Sequence, residues 1–430
     1  MTFATILGLS SFALWLVLLL YRGRYWEDAF RFYRQPNPLR PKPDRVGVKS
    51  PEPLMASSVI PPRPEVIIVI PILNRARAIR RVLLSLLHQD YSNLTHIILV
   101  DQQSTDSSLD IAATVPPMAG RTLHLLPHSP LPPEWSSRTW ALSQGLLLAK
   151  SLSPTAELVW FADPETIQGE AMLSSLVASL ESEGRDMISI MPELPVGSFI
   201  ERIAVPAYHY FFSLLNPFSW VNDPLSSAAA AGSSTLLRRA ALERIGGIIT
   251  IVGIDEDASL AAAIKGIGTI KIENSDQAVS LRRYLEINEV RKLLARVVPA
   301  QQKNSIFTHT VFISGLLVGF ILPPMLALFS TGVAQFFGYA TWLMMTLSLM
   351  PTIFYCRLSP FWGLMMPLSA CLYIWAVAES LVLSLLRPID YATSELREHR
   401  GKNKPSVRTR RPATAPQVKR DIPPLSHLMR

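Results

Sequence analysis

Four long apolar runs, one at the start of the chain and three near its end, limit its fold more than any other feature. Thr2 to Tyr21 carries no charge and is rich in Leu, Ala and Phe. As a helix of about 20 residues it would measure roughly 30 Å, the thickness of the hydrocarbon core of a bilayer. After Ser305 follow Phe307 to Phe329, Val333 to Cys356 and Phe361 to Leu386, each long enough to span. With 49% hydrophobic and only 17% charged residues over 430 positions, the chain is too apolar for an ordinary soluble protein. A membrane protein is therefore expected. No basic stretch precedes the first run, and no small-residue cleavage site follows it before Arg22 and Arg24, so it reads as an anchor and not a cleaved signal peptide.

Charge sharpens this picture. Of the net charge of +8, seven units come from Arg387 to Arg430, where 11 Lys/Arg face four Asp/Glu. A nucleic-acid-binding protein would carry its charge on a folded face interleaved with aromatics. Here it lies in a Pro-containing tail with few aromatics, which reads as disordered and drawn to anionic headgroups, so membrane lipids are expected as partners and nucleic acid is not. Residues 22–64 form a Pro-rich basic linker, with Pro36, Pro38, Pro41, Pro43, Pro51 and Pro53 breaking any long helix. Its Lys/Arg excess directly after the anchor favours the cytoplasmic side, giving a multi-pass inner-membrane protein with a cytoplasmic catalytic domain. Counting all four runs as crossings puts the basic tail on the opposite side, against the same rule. Either the first run, or one of the last three with Pro323, Pro324 or Pro367 as breakers, would then be re-entrant or interfacial. The two cysteines, Cys356 and Cys371, both lie in apolar stretches and suggest neither a disulfide framework nor a zinc site.

Between Glu65 and Asn304 the pattern changes. Val66 to Ile70 and His96 to Val100 are strand candidates, with Ala76 to His88 between them as a helix whose apolar face is Ile79, Val82, Leu83, Leu86 and Leu87. Leu158 to Phe161, Met187 to Met191 and Thr269 to Ile272 continue the series. Such alternation implies an α/β domain on a parallel sheet. The expected organisation is an anchor over 1–21, a linker over 22–64, a catalytic domain over 65–304, about three membrane segments over 305–386 and a tail over 387–430.

Ligands of open α/β sheets bind beyond the carboxyl ends of strands, and four such ends carry polar groups. The first strand runs through Ile70-Pro71-Ile72-Leu73 into Asn74, although Pro and Asn also end strands for turn reasons. The second ends in Val100-Asp101 followed by Gln102, Gln103, Ser104, Thr105 and Asp106, which suits a base or ribose contact and equally a helix cap. The third is Phe161-Ala162-Asp163-Pro164-Glu165, two carboxylates one residue apart that can share a hard divalent cation, Mg2+ or Mn2+. The fourth is Asp255-Glu256-Asp257 before a helix of Ala258 to Lys265, where acids complement the dipole and where a carboxylate can also deprotonate a hydroxyl.

In this order, strand-Asn, strand-Asp, strand-Asp-x-Glu and Glu-Asp before a helix resemble the family-2 glycosyltransferases. The resemblance implies a GT-A fold with a Rossmann-like mixed sheet, a nucleotide-sugar donor, a divalent metal and inversion at the sugar carbon. Leu131-Pro132-Pro133-Glu134-Trp135, Arg138-Thr139-Trp140-Ala141-Leu142, Asn216-Pro217-Phe218-Ser219-Trp220-Val221-Asn222-Asp223-Pro224 and Leu237 to Gly247 further resemble the hopene-associated glycosyltransferases of bacterial hopanoid pathways. By that likeness Pro71, Asn74, Asp101 and Asp106 face the nucleotide, with Arg138 near the donor where the family usually has Lys. Asp163 and Glu165 hold metal and diphosphate, Asp257 is the general base, and Glu256 supports it. Gly232, Trp220, Asn222 and Asp223 belong to the acceptor side, and the acceptor is a lipid.

Three positions and one segment depart from the pattern. Gln102 stands where a second Asp is usual, Glu165 where Asp is usual, and Arg75 where Glu follows the Asn. Gln301, Gln302 and Lys303 replace the Gln-x-x-Arg-Trp of processive synthases, so a single transfer is expected over polymer synthesis. Gln102 and Arg75 also motivate an alternative, a catalytically weakened glycosyltransferase-like scaffold that binds lipid or partner enzymes. Glu379 and His309, ionisable groups inside the apolar runs, fit either a lipid entry path or a helix contact.

Overall fold

The computed structural model describes residues 2–27, 63–127, 130–132, 135–251, 256–295 and 306–386. The expected disordered tail, most of the linker, Asp255, Glu134 and residues 301–303 lie outside the described residues.

One eight-stranded sheet organises the middle of the chain, in the order β3-β2-β1-β4-β7-β6-β8-β5. Its strands are β1 (Val66–Ile72), β2 (Leu94–Asp101), β3 (Thr122–Leu126), β4 (Leu158–Phe161), β5 (Thr166–Gln168), β6 (Met187–Glu193), β7 (Ser234–Arg238) and β8 (Ile270–Ser280). β1, β2, β3 and β4 are mutually parallel, while β7 runs antiparallel to both β4 and β6. The sheet is thus mixed, as the GT-A expectation has it and the purely parallel reading does not. β1 is buried over its whole length, which explains why its Val/Ile run shows no alternation. Side chains of period 2 feed two cores. Val66, Ile68 and Ile70 join α2 (Ile79–Leu87) and α5 (Met172–Ser182), whereas Ile67 and Val69 join α4 (Ser137–Leu152), α8 (Arg239–Arg244) and α9 (Glu256–Lys265). The short α3 (Ser108–Ala113) follows β2. α4 comes so close to the sheet at Gly145 that a Cβ there would meet Val69 and Val100.

The start of α2 differs from the expectation of Ala76: residues 75–78 form a turn and the helix begins at Ile79. Asp106 takes the Ala76 N–H at 3.0 Å, so that backbone group serves the loop.

Among the described residues, four helices are long and apolar enough to cross a membrane: Phe3–Tyr21 (α1), Phe307–Phe329, Gly332–Tyr355 (α13) and Pro360–Glu379. The second is two helices, α11 (Ile306–Leu316) and α12 (Leu322–Phe329), joined by a π turn over Leu317–Ile321. Pro323 and Pro324 cause the break, because they lack the N–H groups that would close the preceding turn. The carbonyls there find partners on α1: Trp15 Nε1 donates to Gly319 O at 2.7 Å and Ser11 Oγ to Val318 O at 2.8 Å. The last apolar run opens with a 3-10 stretch, Pro360–Met365, before α14 (Met366–Leu386).

The catalytic segment and this bundle share a core. α6 (Phe199–Leu215) and α10 (Ile287–Ala295) lie on the sequence of the catalytic segment, yet Tyr210, Phe211, Val290 and Leu294 pack with Trp15, Phe320, Met345 and Tyr373. Tyr210 shares hydroxyl hydrogen bonds with Tyr25 and Ser348, both at 2.8 Å. Arg22, the first residue after α1, donates to Leu214 O (2.9 Å) and Leu215 O (3.0 Å), two of the last carbonyls of α6 that have no helical partner. Glu379, in α14, forms an ion pair with Arg291 of α10, which is the helix contact among the two readings of that residue.

Candidate active site

The loops beyond the carboxyl ends of β1, β2 and β4 meet, and side-chain bonds lace them together. Asn74 has φ 53°, a left-handed conformation that Asn tolerates. Its N–H donates to Ser104 Oγ at 3.0 Å and its Oδ1 accepts the Thr105 N–H at 2.8 Å. Asp101 is buried, and its two oxygens accept the Ser104 N–H at 3.1 and 3.2 Å. Asp106 accepts from the Ala76 and Ser108 N–H groups, both at 3.0 Å, and from the Ser108 hydroxyl. Burial would raise its pKa, but the Ser108 hydroxyl and these N–H groups hold the carboxyl below the usual range. Pro71 is buried within β1 opposite Val100. These residues shape a polar wall where a nucleotide would lie in an open α/β sheet.

The third and fourth segments supply charge. Arg138, in the first turn of α4, donates to Asp257 Oδ2 at 2.5 Å. Burial works against the Arg138 charge, yet Asp257, Glu256 and Asp163 together raise its pKa, so the acids of both segments converge on one guanidinium. Glu256 accepts from the Ser136 hydroxyl. Burial pushes its carboxyl up, outweighing the lowering by Ser136 and Arg138. Gln102, in place of an acid, accepts from Ser137 Oγ at 2.8 Å. The start of α4 therefore joins the second strand end to the acids of α9 through three consecutive residues, Ser136, Ser137 and Arg138.

Asp163 Oδ1 accepts the Glu165 N–H at 2.8 Å. The Glu165 carboxylate is turned toward cations: Oε2 lies 3.3 Å from Arg75 Nε and 3.7 Å from Arg282 Nη1. Two departures from the family pattern, Arg75 and Glu165, are thus each other's partners. Sequence reasoning missed Arg282, which follows β8 with no motif to mark it, and read Arg75 only as a lost acid. As a cation site the Asp163–Glu165 pair does not fit. One of its two carboxylates already balances two guanidinia, and among the described residues no three His, Cys, Asp or Glu side chains group as metal ligands would.

The acceptor-side residues have structural partners. A Cβ on Gly232 would collide with the Ile190 carbonyl of β6, and its N–H donates to Ser189 Oγ at 2.8 Å. Trp220, in α7 (Phe218–Val221), lies under the Arg22 guanidinium, 4.8 Å from the ring centroid. Asn222 bridges to β8 twice, donating to Ile272 O at 3.0 Å and accepting its N–H at 2.7 Å. Asp223 Oδ1 accepts the Leu225 N–H, and its carbonyl accepts from Lys265 Nζ at 2.6 Å. The Asn-Asp-Pro stretch therefore fastens the end of the anchor to the sheet.

Residues 67–246 match the family model "Glycosyl transferase family 2". They form a family-2 glycosyltransferase domain. The domain embraces β1 to β7, with the strand-end segments of β1, β2 and β4, and gives the chain the catalytic core of a glycosyltransferase enzyme. Among solved structures, a mannosyltransferase from Pyrobaculum calidifontis in complex with GDP-Man and Mn2+ is similar at 18% identity and TM-score 0.51, covering 88% of this chain and 99% of that one. That likeness shows the GT-A fold. S. aureus TarS 1-349 aligns at 14% identity and TM-score 0.37, over 76% of this chain and 93% of that one. Glucosyl-3-phosphoglycerate synthase from Mycobacterium tuberculosis aligns at 18% identity and TM-score 0.35, over 55% and 78%. No curated protein matches the sequence.

Proposed function

We propose that the glycosyltransferase domain moves one sugar from a nucleotide-sugar donor to a lipid acceptor at the membrane face, with inversion. The observation that carries this reading is the Arg138–Asp257 pair beside Glu256, which Ser136 holds at the start of α4, in a domain whose helix α6 packs among the apolar helices. Asn74, Asp101 and Asp106 take the nucleoside, and Arg138 faces the diphosphate. The acceptor oxygen attacks the anomeric carbon, its proton passes to Asp257, and the bond to the nucleoside diphosphate breaks with the electron pair leaving on phosphate. A diphosphate that engages Arg138 withdraws that guanidinium from Asp257 and frees the carboxylate as a base. Gly232, Trp220, Asn222 and Asp223 keep the acceptor side in place through β6, β8 and the anchor.

The hopanoid class as acceptor rests on the motif resemblance alone, and the cytoplasmic side of an inner membrane on the Lys/Arg excess of the linker. The test is transfer of label from a panel of nucleotide-sugars to a bacterial lipid extract by the detergent-solubilised full chain, together with lipidomics of a deletion strain. One glycolipid formed in the first and lost in the second is expected. An unchanged lipid profile with no transfer from any donor would overturn the reading and leave the scaffold alternative, which Gln102 in place of an acid favours.

A further inference from the structure

We propose that Arg75 and Arg282 bind the diphosphate of the donor, with Glu165 as the carboxylate that holds the two guanidinia in place and not as a ligand of a cation. This rests on the donor reading above. Both arginines come to the same oxygen of Glu165, at 3.3 and 3.7 Å, so neither makes the two-toothed pair that saturates a guanidinium. Arg75 Nε is moreover buried without an aligned acceptor, because the 3.3 Å approach to Glu165 lacks hydrogen-bond geometry. One carboxylate with two guanidinia leaves a net positive charge next to Asp163.

The backbone fixes both cations. The Arg75 N–H donates to Ser108 Oγ at 2.7 Å, which ties it to the β1 and β2 loops, and its Nη1 donates to Asn74 O at 3.1 Å. Arg282 is set by the β5–β8 pairing, which ends at Thr166↔Ser280, and by the Leu281 N–H donating to Glu165 O at 2.7 Å. Glu in place of Asp at 165 supplies the extra methylene of reach toward these two arginines.

The test is calorimetric titration of the full chain in detergent with UDP and GDP, in EDTA and in Mn2+. Wild type is expected to bind one of them in EDTA within a few-fold of its affinity in Mn2+. Arg75→Gln and Arg282→Gln are each expected to weaken binding about tenfold, the loss of one charge-assisted contact. Glu165→Gln is expected to weaken binding less than either arginine variant, and by the same factor in EDTA and in Mn2+. Binding seen only with Mn2+, abolished in Glu165→Gln and kept in Arg75→Gln, would make Glu165 a metal ligand and overturn the proposal. No binding by wild type in either buffer would sink the donor reading itself.

A different set of contacts carries a second inference: the geometry assigns the last apolar segment to a re-entrant path that leaves the membrane on the catalytic side. Arg357, just past α13, pairs with Glu193 of β6 at 3.3 Å, so α13 ends at the catalytic domain. The chain then turns back into the bundle, with Gly363 against Met350 and Thr346 of α13. α14 returns: Ser369 Oγ donates to Ile203 O of α6 at 3.1 Å, Tyr373 stacks on Phe211 with centroids 4.1 Å apart, and Glu379 reaches Arg291. A spanning helix would carry residue 379 about 20 Å away from its start at 366, toward the far face. Three crossings then remain, and α14 ends on the side of the catalytic domain.

Single cysteines in a Cys356→Ser, Cys371→Ser chain, probed with a membrane-impermeant maleimide on intact cells, test this. Thr331→Cys, at the α12–α13 turn, is expected to label, and Ser182→Cys at the end of α5 and Leu386→Cys at the end of α14 only after lysis. Labelling of Leu386→Cys together with Thr331→Cys in intact cells would overturn it.

Discussion

Asp257→Asn separates binding from chemistry. The substitution keeps the shape of the side chain and leaves an amide oxygen for Arg138, which now donates to Asp257 at 2.5 Å. Both partners are about a quarter to a third exposed, 31% and 27%, so losing the charge costs folding no more than about 1 kcal/mol. The donor site loses one negative charge beside a guanidinium that faces phosphate, so nucleoside diphosphate affinity is expected to hold or rise slightly. Turnover loses its proton acceptor, a change of about 100-fold to 10,000-fold, or roughly 3 to 5 kcal/mol of transition-state stabilisation. The effect on rate thus exceeds any effect on stability or binding by a wide margin. The assay pairs single-turnover transfer of labelled sugar to lipid with calorimetric titration of the same preparation. Full transfer by the Asn variant would remove Asp257 as base; a parallel collapse of binding would show that it holds the donor instead.

Three further outcomes test the architecture. Glu201 is fully buried and caps α6; burial would raise its pKa, but the Arg283 pair at 2.8 and 3.0 Å and the Ser198 and Tyr284 N–H groups lower it from 4.5 to about 2. A depressed carboxyl stabilises above its unfolded pKa, so about 3 kcal/mol is present at neutral pH and lost as pH falls from about 4.5 to 2. Melting curves in detergent should show that loss for wild type and not for Glu201→Gln, which starts lower; identical profiles would refute it. Trp15→Phe removes the donor to Gly319 O and should cost about 1 kcal/mol in melting experiments, whereas an unchanged melt would mean the carbonyl finds another partner. Gly232→Ala places a Cβ against the Ile190 carbonyl and should cost about 2 kcal/mol; a neutral Ala would show that the loop moves freely.

The strands were readable because a strand buried on both faces needs an unbroken apolar run, and β1, rich in Val and Ile, and β4, Leu-Val-Trp-Phe, have one. Polar residues at their ends were readable because a sheet's carboxyl edge is where unpaired groups face a ligand. The antiparallel insertion of β7 between β4 and β6 was legible only through the family resemblance, since strand direction leaves no mark in a five-residue strand. The role of α6 was hidden for a related reason. A helix of 17 residues, most of them apolar or aromatic, reads equally as a core helix or a membrane-face helix, and the contacts with Tyr25, Ser348 and Phe320 decide which. Arg75 and Glu165 each read as a weakened site when considered singly. The pairing between residues 90 apart makes them one feature, and no local pattern encodes it.

The position of α6 bears on how a lipid meets the donor. Arg22, where the anchor ends, binds its C-terminal carbonyls, while Phe199 and Arg202 at its N-terminal end contact Trp362, at 5.5 Å and 5.8 Å. Trp and Arg are residues that favour the boundary between hydrocarbon and water. On the membrane-face reading proposed above, a helix about 25 Å long with both ends tied to that boundary would lie along the membrane face instead of pointing into it. The sheet joins this base through Glu201, whose partners Arg283 and Tyr284 follow β8, and through Asn222, which grips β8 itself. On the same reading, the active site would be carried at a fixed height over the bilayer. A lipid hydroxyl held at the same boundary would then need to search only in two dimensions, an advantage that a soluble sugar acceptor would not share.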